Sequence, residues 1–310
     1  MSVLLLTHRA CLDHDPGPYH PECPDRLRAV LRALDDEEFA GLIRGEAPQA
    51  TVEQLCRVHP RNYVDAILAI RPEPDDRVAL DGDTLMSWGS AEAALRAAGA
   101  ACAAVDAVMK GEVRRAFCAV RPPGHHAEPA RPMGFCLFSN AAIAARHAQA
   151  VHGVERVAVL DFDVHHGNGT QAVAETDETL FYGSSHQWPL YPGTGDPRER
   201  GVAGNVVNAT LQPGADGEAF RAAWRDRILP ALDAFAPGLV VVSAGFDAHA
   251  RDPLAQLRVR EADYAWLTAE LCAIAERHCR GRVVSMLEGG YDLTALAASA
   301  AAHVRALLRA

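Results

Sequence analysis

The chain has 310 residues, and its composition, 49% hydrophobic and 23% charged, is that of a globular protein long enough to bury a full core. The formal net charge is −10 and no block of lysine or arginine occurs, so neither nucleic acid nor an anionic membrane surface is expected as its main partner. No segment is long and apolar enough to predict a membrane span.

Short β-branched runs alternate along the chain with longer segments rich in alanine, leucine and arginine. This alternation predicts an α/β fold, and strands that are apolar throughout predict a parallel sheet covered by helices on both faces. The predicted strands, in chain order, are Val3–Leu6, Ala116–Val120, Arg156–Asp161, Thr179–Tyr182, Asn205–Ala209, Leu239–Val242 and Val283–Leu287. The predicted helices are Pro24–Leu34, Ser90–Lys110, Ala141–Val151, Glu218–Phe235, Glu261–His278 and Leu296–Leu308.

Three stretches rich in glycine and proline follow predicted strands or lie between elements, at residues 122–134, 191–204 and 245–253. In an open parallel sheet, ligands bind to the loops at the carboxyl ends of the strands. The chemistry of this chain is therefore expected in loops of this kind.

The loop after the predicted strand Arg156–Asp161 reads D-F-D-V-H-H-G-N-G. Alternate side chains of an extended segment face the same way, so Asp161, Asp163 and His165 are able to converge on one point. Oxygen and nitrogen ligands suit a borderline cation such as Zn²⁺. An isolated Asp-x-His pair is nevertheless more often a helix cap or a hydrogen-bonded core pair than a metal site.

A second acidic loop, residues 243–254, follows the predicted strand Leu239–Val242. Either Asp247 or Asp252 is placed to supply a third metal ligand. Three protein ligands leave a zinc ion an open position for water and substrate, which is the catalytic pattern. The alternative is that Asp252 only opens a turn before Pro253.

Two further motifs also follow predicted strands. His125 and His126 lie in a loop rich in glycine and proline, where adjacent histidines suit proton transfer. Gly289 and Gly290 allow a sharp turn, after which Tyr291 is able to present its hydroxyl to a developing oxyanion. Each motif alone is more often a surface pair or a packed tyrosine. Four motifs that all follow strands predict one site at the carboxyl edge of the sheet.

The eight cysteines form no C-x-x-C pair, so neither a thiol redox motif nor a cysteine zinc finger is predicted. Several of them lie in apolar runs, as buried reduced thiols do. The first residues start as a short strand and lack the basic region and cleavage site of a signal peptide. These features predict a cytoplasmic enzyme in a reducing compartment.

The site motifs belong to a longer series in the chain, namely H-P-E-C-P-D-R-L (His20–Leu27), R-P-P-G-H-H-A (Arg121–Ala127), G-F-C-L-F-S-N (Gly134–Asn140), D-F-D-V-H-H-G-N-G-T (Asp161–Thr170), Y-P-G-T-G (Tyr191–Gly195), S-A-G-F-D (Ser243–Asp247), D-P-L (Asp252–Leu254) and E-G-G-Y (Glu288–Tyr291). This series resembles the histone deacetylase and acetylpolyamine amidohydrolase superfamily, in its bacterial and class II branch. The resemblance covers nearly the whole chain in the family's order. It implies one catalytic domain over residues 1–310, with a three-layer, arginase-like α/β fold around an eight-stranded parallel sheet.

The resemblance also implies the cofactors. It gives one zinc ion per chain, with Asp163, His165 and Asp252 as ligands, and Asp247 becomes a supporting residue. A structural potassium ion is implied as well, at a site matched by Asp161, Asp163, His165 and Ser184.

The implied reaction is hydrolysis of an amide by a metal-bound water. His126, with the neutral Asn168 as its partner, matches the general base that takes a proton from this water and later passes one to the leaving amine. His125, paired with Asp161, matches a histidine that stays protonated, because a carboxylate raises the pKa of an imidazole and a neutral amide does not. Zinc and Tyr291 would polarise the carbonyl.

Phe135 and Tyr191 match the aromatic walls of the family's acyl-lysine tunnel, where two rings flank an aliphatic chain. Asp83 matches a rim aspartate that grips the substrate backbone, and Arg26 matches an arginine near the acetate-release channel. Leu254 follows the Asp-Pro pair with no glutamate beside it, which favours an acyl-lysine peptide or protein as substrate. The predicted substrate contacts are Phe135, Tyr191, Asp83, Gly134 and Leu254.

The closest alternative is an acetylpolyamine amidohydrolase acting on amines of the acetylputrescine or acetylspermidine type, and the negative net charge favours such a cationic substrate. A ureohydrolase such as arginase shares the fold, but it needs more Asp-x-His carboxylates for two metals and leaves the histidine pair unexplained. A non-catalytic acyl-lysine-binding module would have lost a ligand or Tyr291, and none is lost. The physiological substrate, the acyl length, the native metal and self-association into a homo-oligomer stay open.

Overall fold

Strands with valine and leucine at their centres build the middle of the molecule. The computed structural model describes residues 2–310, and ten strands are found among them. In chain order they are β1 (Val3–Thr7), β2 (Ile43–Glu46), β3 (Val78–Ala79), β4 (Leu85–Met86), β5 (Arg115–Cys118), β6 (Val157–Asp161), β7 (Leu180–Gln187), β8 (Val206–Leu211), β9 (Leu239–Ala244) and β10 (Val283–Leu287).

Eight of these strands form one sheet in the order β2-β1-β5-β10-β9-β6-β7-β8, and every neighbouring pair is parallel. The short strands β3 and β4 pair separately and antiparallel. All residues of β5, β6, β7, β9 and β10 are buried, as expected for a parallel sheet covered on both faces. The predicted α/β fold with an eight-stranded parallel sheet is confirmed.

Helices flank the sheet and complete the three layers. They pack in two groups, one in which α4 contacts α5 and one in which α10 contacts both α1 and α9. The α-helices are α1 (Pro24–Leu34), α2 (Val52–Leu55), α3 (Arg61–Ala69), α4 (Ser90–Lys110), α5 (Asn140–His152), α6 (Asn168–Ala174), α7 (Gly217–Ala223), α8 (Leu229–Phe235), α9 (Glu261–Cys279) and α10 (Leu293–Arg309).

One predicted helix is wrong, and six elements were not predicted, namely β2, β3, β4, α2, α3 and α6. The strand β2 escapes prediction because it lies at the sheet edge, where its residues I-R-G-E are exposed or half-buried and form no apolar run. The helix predicted over Glu218–Phe235 is interrupted by a π-helical stretch, Trp224–Ile228, between α7 and α8. Pro230 follows this stretch at the start of α8, and its ring nitrogen has no hydrogen to donate to the preceding turn.

The sheet order places four strands of interest side by side. β5, β10, β9 and β6 are the four central neighbours, and each leads at its carboxyl end into one of the four predicted site motifs. Among residues 2–310, we find no helix with the length and apolar character needed to cross a bilayer.

Candidate active site

Two buried histidines follow strand β5, and each has a different partner. The Nδ1 atom of His125 lies 3.0 Å from Oδ2 of Asp161, at the end of β6. The Nδ1 atom of His126 lies 2.9 Å from Oδ1 of Asn168, at the start of α6. The two imidazole centroids are 4.0 Å apart. The pairing implied by the family resemblance is therefore present in the geometry.

The hydrogen bonds of Asn168 fix the tautomer of His126. Its Nδ2 donates to Oε1 of Glu128 at 2.8 Å, and a carboxylate only accepts. The amide oxygen therefore faces His126 and accepts from its Nδ1–H. In the neutral imidazole the other ring nitrogen, Nε2, then carries the lone pair and is able to act as a base.

The two histidines differ in charge as well as in partner. Burial alone lowers the pKa of a histidine, but the carboxylates of Asp163 and Asp161 outweigh it and hold the pKa of His125 well above its ordinary value. Burial, together with the positive charges of His125 and His165, holds the pKa of His126 well below its ordinary value. One histidine is thus cationic and its neighbour neutral near pH 7.

Next to the histidine pair lies a group of buried metal-ligand side chains. Candidate ligand atoms of Asp163, His165 and Asp247 all lie within 4.8 Å of one another. The Nδ1 atom of His165 is 3.1 Å from Oδ1 of Asp163 and 3.1 Å from Oδ2 of Asp247. Backbone N–H groups of Gly289 and Val164 donate to Asp163 and Asp247, each at 2.8 Å, and hold both carboxylates in place.

The electrostatics of this group indicate that it needs a cation. Burial, together with the charge of Asp163, raises the pKa of Asp247 to about 7, and burial above all raises the pKa of Asp252 to about 6. Burial would lower the pKa of His165, but Asp163 and Asp247 outweigh it and raise the pKa to about 10. Burial would raise the pKa of Asp163, but the positive charges of His125 and His165 outweigh it and hold this pKa below its ordinary value. One ionised carboxylate, two carboxyl groups that resist ionisation and an imidazole that takes up a proton fit a metal ion with one nitrogen and several oxygen donors.

Asp252 occupies a different position from Asp247. It accepts hydrogen bonds from the backbone N–H of Tyr291 at 2.8 Å and from that of Leu254 at 3.0 Å. It is 8% exposed, whereas Asp247 is fully buried. Asp252 therefore links the acidic loop to the tyrosine motif.

Only glycine fits at position 245, because the backbone there passes very close to the side chain of Asp163. A Cβ atom at this position would lie 2.1 Å from Oδ2 of Asp163, a distance that real Cβ contacts do not reach. Gly134 is restricted twice, because its φ is +55° and a Cβ atom would lie 2.4 Å from Cδ2 of His126. Gly134, predicted as a substrate contact, thus also sets the position of the base.

A cavity of 270 Å³ borders His126, His165 and Tyr291. Tyr191 packs edge-on against His126 with centroids 5.2 Å apart, and Phe135 packs edge-on against Tyr291 at 6.0 Å. All five predicted substrate contacts line the cavity. Two further residues, Pro21 and Leu190, line it as well and were not predicted. The complete lining is Pro21, Asp83, His126, Gly134, Phe135, His165, Leu190, Tyr191, Leu254 and Tyr291.

Arg26 contacts the ring of Tyr291 and the backbone beside it. The guanidinium carbon lies 4.9 Å from the centroid of the tyrosine ring, and its Nε donates to the carbonyl of Gly290 at 2.6 Å. Burial raises the pKa of Tyr291 well above its ordinary value, although Arg26 opposes the shift. The tyrosine therefore keeps its proton and remains a hydrogen-bond donor at neutral pH.

Sequence reasoning missed the role of Glu288. Its Oε2 accepts from the backbone N–H groups of Gly124 at 2.7 Å and His125 at 3.2 Å, and its Oε1 accepts from the hydroxyl of Ser243 at 3.1 Å. The fully buried carboxylate thereby fixes the loop that carries both histidines. Its partners are mainly backbone groups, so the sequence offers no side-chain signal for this contact.

The remaining predicted residue, Ser184, lies on β7. It is paired in register with Asp161 of β6, and its hydroxyl oxygen is 3.0 Å from Nδ1 of His186. The side chain is fully buried beside the strand that supplies the first acidic motif. The structure thus groups the predicted ligands Asp163 and His165 with Asp247, whereas the predicted ligand Asp252 contacts the backbone of Tyr291 and Leu254, and Ser184 lies one strand away.

Comparisons with known proteins agree with the motifs and with the fold. A model of the histone deacetylase domain matches residues 20–307. The chloroplastic histone deacetylase 14 of Arabidopsis thaliana is 39% identical, over 98% of this chain and 76% of the relative. A histone deacetylase-like amidohydrolase of Pseudomonas aeruginosa is 40% identical, over 91% of this chain and 80% of the relative. The crystal structure of the HDA15 HD domain superposes with a TM-score of 0.93 at 36% identity, covering 99% of this chain and 88% of the other. The chain belongs to the histone deacetylase family.

Proposed function

We propose that this chain is a zinc-dependent deacetylase that hydrolyses the amide of Nε-acetyl-lysine, or of a related acyl-lysine, and releases the carboxylic acid. The observation that carries the proposal is the set of side chains that line one cavity. His126, whose Nε2 is free to accept a proton, lines it together with the hydroxyl-bearing Tyr291 and the ligand side chain His165. A base, a hydrogen-bond donor and a metal ligand around one apolar space suit amide hydrolysis.

We assign Asp163, His165 and Asp252 as the ligands of one zinc ion, with Asp247 as a support. Asp252 is preferred to Asp247 from the family match and because its carboxylate accepts from the backbone N–H of Tyr291, a residue that lines the cavity. When bound, zinc would act as a Lewis acid on the carbonyl and make a water more acidic. A structural potassium ion is proposed from the family match, with ligands from Asp161, Asp163, His165 and Ser184.

The chain's own residues move the proton. Nε2 of His126 would take a proton from the attacking water and then pass one to the leaving amine nitrogen. The neutral partner Asn168 permits both steps, since it holds Nδ1–H without favouring the imidazolium. His125, kept cationic by Asp161, would add positive charge beside the developing oxyanion without exchanging its proton.

Tyr291 would donate its hydroxyl hydrogen to the substrate carbonyl oxygen. Its raised pKa means that the donor keeps its proton while the oxygen gains charge. Arg26 and the backbone contact from Asp252 hold the residue in place on both sides. This double support should limit the reorganisation needed when the substrate arrives.

The cavity walls favour an aliphatic substrate stem. Phe135, Tyr191 and Leu254 present mainly apolar surface, which suits the methylene chain of an acylated lysine. An acetylated polyamine is the second candidate, because the carboxyl group of Asp83 also lines the cavity and Asp81 lies beside it in the same turn. Carboxylates at this position would attract the remaining ammonium groups of a polyamine.

Substitution of Tyr291 by phenylalanine tests the chemistry. We expect Tyr291→Phe to bind zinc and fold normally, while turnover of an acetyl-lysine peptide falls by roughly 10²-fold or more. Tyr264→Phe is a matched control, since this buried tyrosine has a hydroxyl without a hydrogen-bond partner among residues 2–310. Near-normal turnover in Tyr291→Phe, or an equal loss in the control, would contradict the assigned role.

The ligand assignment and the substrate need separate measurements. Asp252→Asn should reduce the zinc content of the purified protein more than Asp247→Asn does, and the reverse order would exchange their roles.

Comparison of kcat/KM for an acetyl-lysine peptide with that for N-acetylputrescine decides between the two substrates. A preference for the polyamine would refute the lysine assignment and leave the proposed chemistry intact.

A further inference from the structure

A second group of metal-ligand side chains lies outside the cavity, between α4 and α5. Asp106 belongs to the last turns of α4, and His147 and His152 belong to the last turns of α5. These helices end shortly before β5 and β6 begin. The group therefore lies at the end of the sheet opposite to the carboxyl edge that carries the proposed catalytic residues.

One carboxylate oxygen joins the two imidazoles. Nε2 of His147 lies 2.8 Å from Oδ1 of Asp106, and Nε2 of His152 lies 2.7 Å from the same oxygen. Candidate ligand atoms of all three residues are within 4.8 Å of one another. The His147 side chain is 4% exposed, that of His152 16% and that of Asp106 34%. The rings are thus held by packing, while the carboxylate remains open to solvent.

Arg57 controls the proton on His147. Its Nη1 lies 2.5 Å from Nδ1 of His147, and because a guanidinium only donates, Nδ1 must accept. Nε2 of the neutral ring then holds its hydrogen toward Asp106. A metal on Nε2 would require this proton to move to Nδ1, where it would face Arg57. Arg57 also contacts the exposed Glu53 at 3.4 Å, which gives it another partner on the solvent side.

We propose that Asp106, His147 and His152 bind a divalent transition-metal ion such as Zn²⁺ at a non-catalytic site that ties α4 to α5. Two imidazoles and one carboxylate suit zinc and its neighbours better than magnesium or calcium, which prefer oxygen ligands. No net loss of protons is needed if each Nε2 proton moves to Nδ1 of the same ring, which at His147 requires the guanidinium of Arg57 to turn away toward Glu53. Arg57 weakens the site because its positive charge and its hydrogen bond both oppose the bound form.

The test is a titration of the zinc-loaded protein with further Zn²⁺. Isothermal titration calorimetry measures the binding, and metal analysis gives the number of zinc ions per chain. We expect the wild type to take up one more equivalent, and His152→Ala to bind it at least about tenfold more weakly. Arg57→Gln is expected to bind it about tenfold more tightly, because a positive charge beside the site is removed. His278→Ala is the matched control, as this histidine also lies at a helix end and pairs with one aspartate, Asp233, at 2.8 Å.

The outcomes separate this site from the proposed catalytic centre. His152→Ala and Arg57→Gln should leave deacetylase turnover unchanged, and the titration is informative even if no substrate is hydrolysed. Three results would overturn the proposal: no additional equivalent in the wild type, equal uptake by His152→Ala and wild type, or weaker uptake by Arg57→Gln. Weaker uptake by His278→Ala would show that the zinc binds elsewhere on the surface.

Discussion

His59 offers a test of how the wall of the cavity is anchored. It is 1% exposed, and its Nδ1–H donates to the carbonyl of Pro129 at 2.9 Å. Its Nε2 accepts from the backbone N–H of Ser139, also at 2.9 Å. Both ring nitrogens are thus used in the neutral form, and they secure the two ends of the segment that contains Gly134 and Phe135.

Protonation of His59 should cost stability. Burial above all lowers the pKa of this histidine from 6.5 to about 4. Between these two values the unfolded chain binds a proton that the folded chain does not, so a fall in pH favours unfolding. A difference of about 2.5 pKa units corresponds to a maximum of about 3 kcal/mol, of which about 2 kcal/mol should be lost between pH 7 and pH 4.5.

The perturbation is His59→Asn, which does not titrate, whose amide N–H is able to replace the donor toward Pro129, and whose shorter side chain places no acceptor at the Nε2 position that Ser139 contacts. At pH 7 we expect the variant to be less stable by about 1–3 kcal/mol, the cost of an unsatisfied buried N–H group. Toward pH 4.5 the difference in unfolding free energy should shrink by about 2 kcal/mol, because only the wild type loses the contribution of a neutral histidine.

The assay is equilibrium urea unfolding of both proteins at pH 7 and pH 4.5, under the same metal conditions. Leu55→Ala is the control, because Leu55 carries no titratable group and is fully buried in the hydrophobic cluster that contains Tyr63 and Phe138, the rings that His59 contacts. Its destabilisation should not depend on pH. A constant difference between the wild type and His59→Asn across this range would refute the reasoning.

Three other predictions concern the site itself. Gly245→Ala should reduce the zinc content of the protein severalfold, because the methyl group would meet Asp163, and full zinc occupancy would contradict the proposed close approach. Asn168→Asp should raise the pKa of His126, since a carboxylate favours the imidazolium, and the acidic limb of kcat/KM should move to higher pH. An unchanged pH profile would argue against His126 as the base. Removal of metal with a chelator should lower the melting temperature by about 5 °C or more, because an ion that binds only the folded chain stabilises it and Asp163, His165 and Asp247 lose this contribution. Equal melting temperatures with and without the chelator would show that this group does not bind metal.

The central strands and the long helices were predictable because burial on both sides leaves a continuous apolar signal. The helices Pro24–Leu34 and Ser90–Lys110 have the predicted bounds in the structure. The edge strand β2 carries no such signal, since most of its residues face solvent. The π-helical stretch Trp224–Ile228 contacts the sheet, where Trp224 donates to Ser185 at 2.9 Å, and a tertiary contact of this kind could not be derived from the sequence. Pro230 was a local signal of the interruption that the prediction of one continuous helix passed over.

The site was predictable where side chains meet side chains in short motifs. The spacing of Asp163 and His165 indicated that they converge, and the structure brings them together with Asp247. The contacts of Glu288 could not be derived, because this residue binds backbone N–H groups that every sequence contains. Leu190 likewise reaches the cavity only through the path of its loop.

The position of β10 in the sheet affects the order in which the chain can fold. It is the last strand in chain order, yet it lies in the middle of the sheet between β5 and β9. Before β10 is inserted, the strands β2, β1 and β5 form one block and the strands β9, β6, β7 and β8 form another. Each block then exposes an unpaired strand edge, and such edges are prone to aggregation. The loop that follows β10 also supplies Tyr291 and the carboxylate that fixes the histidines. During synthesis, closure of the sheet and completion of the site should therefore be a single late event.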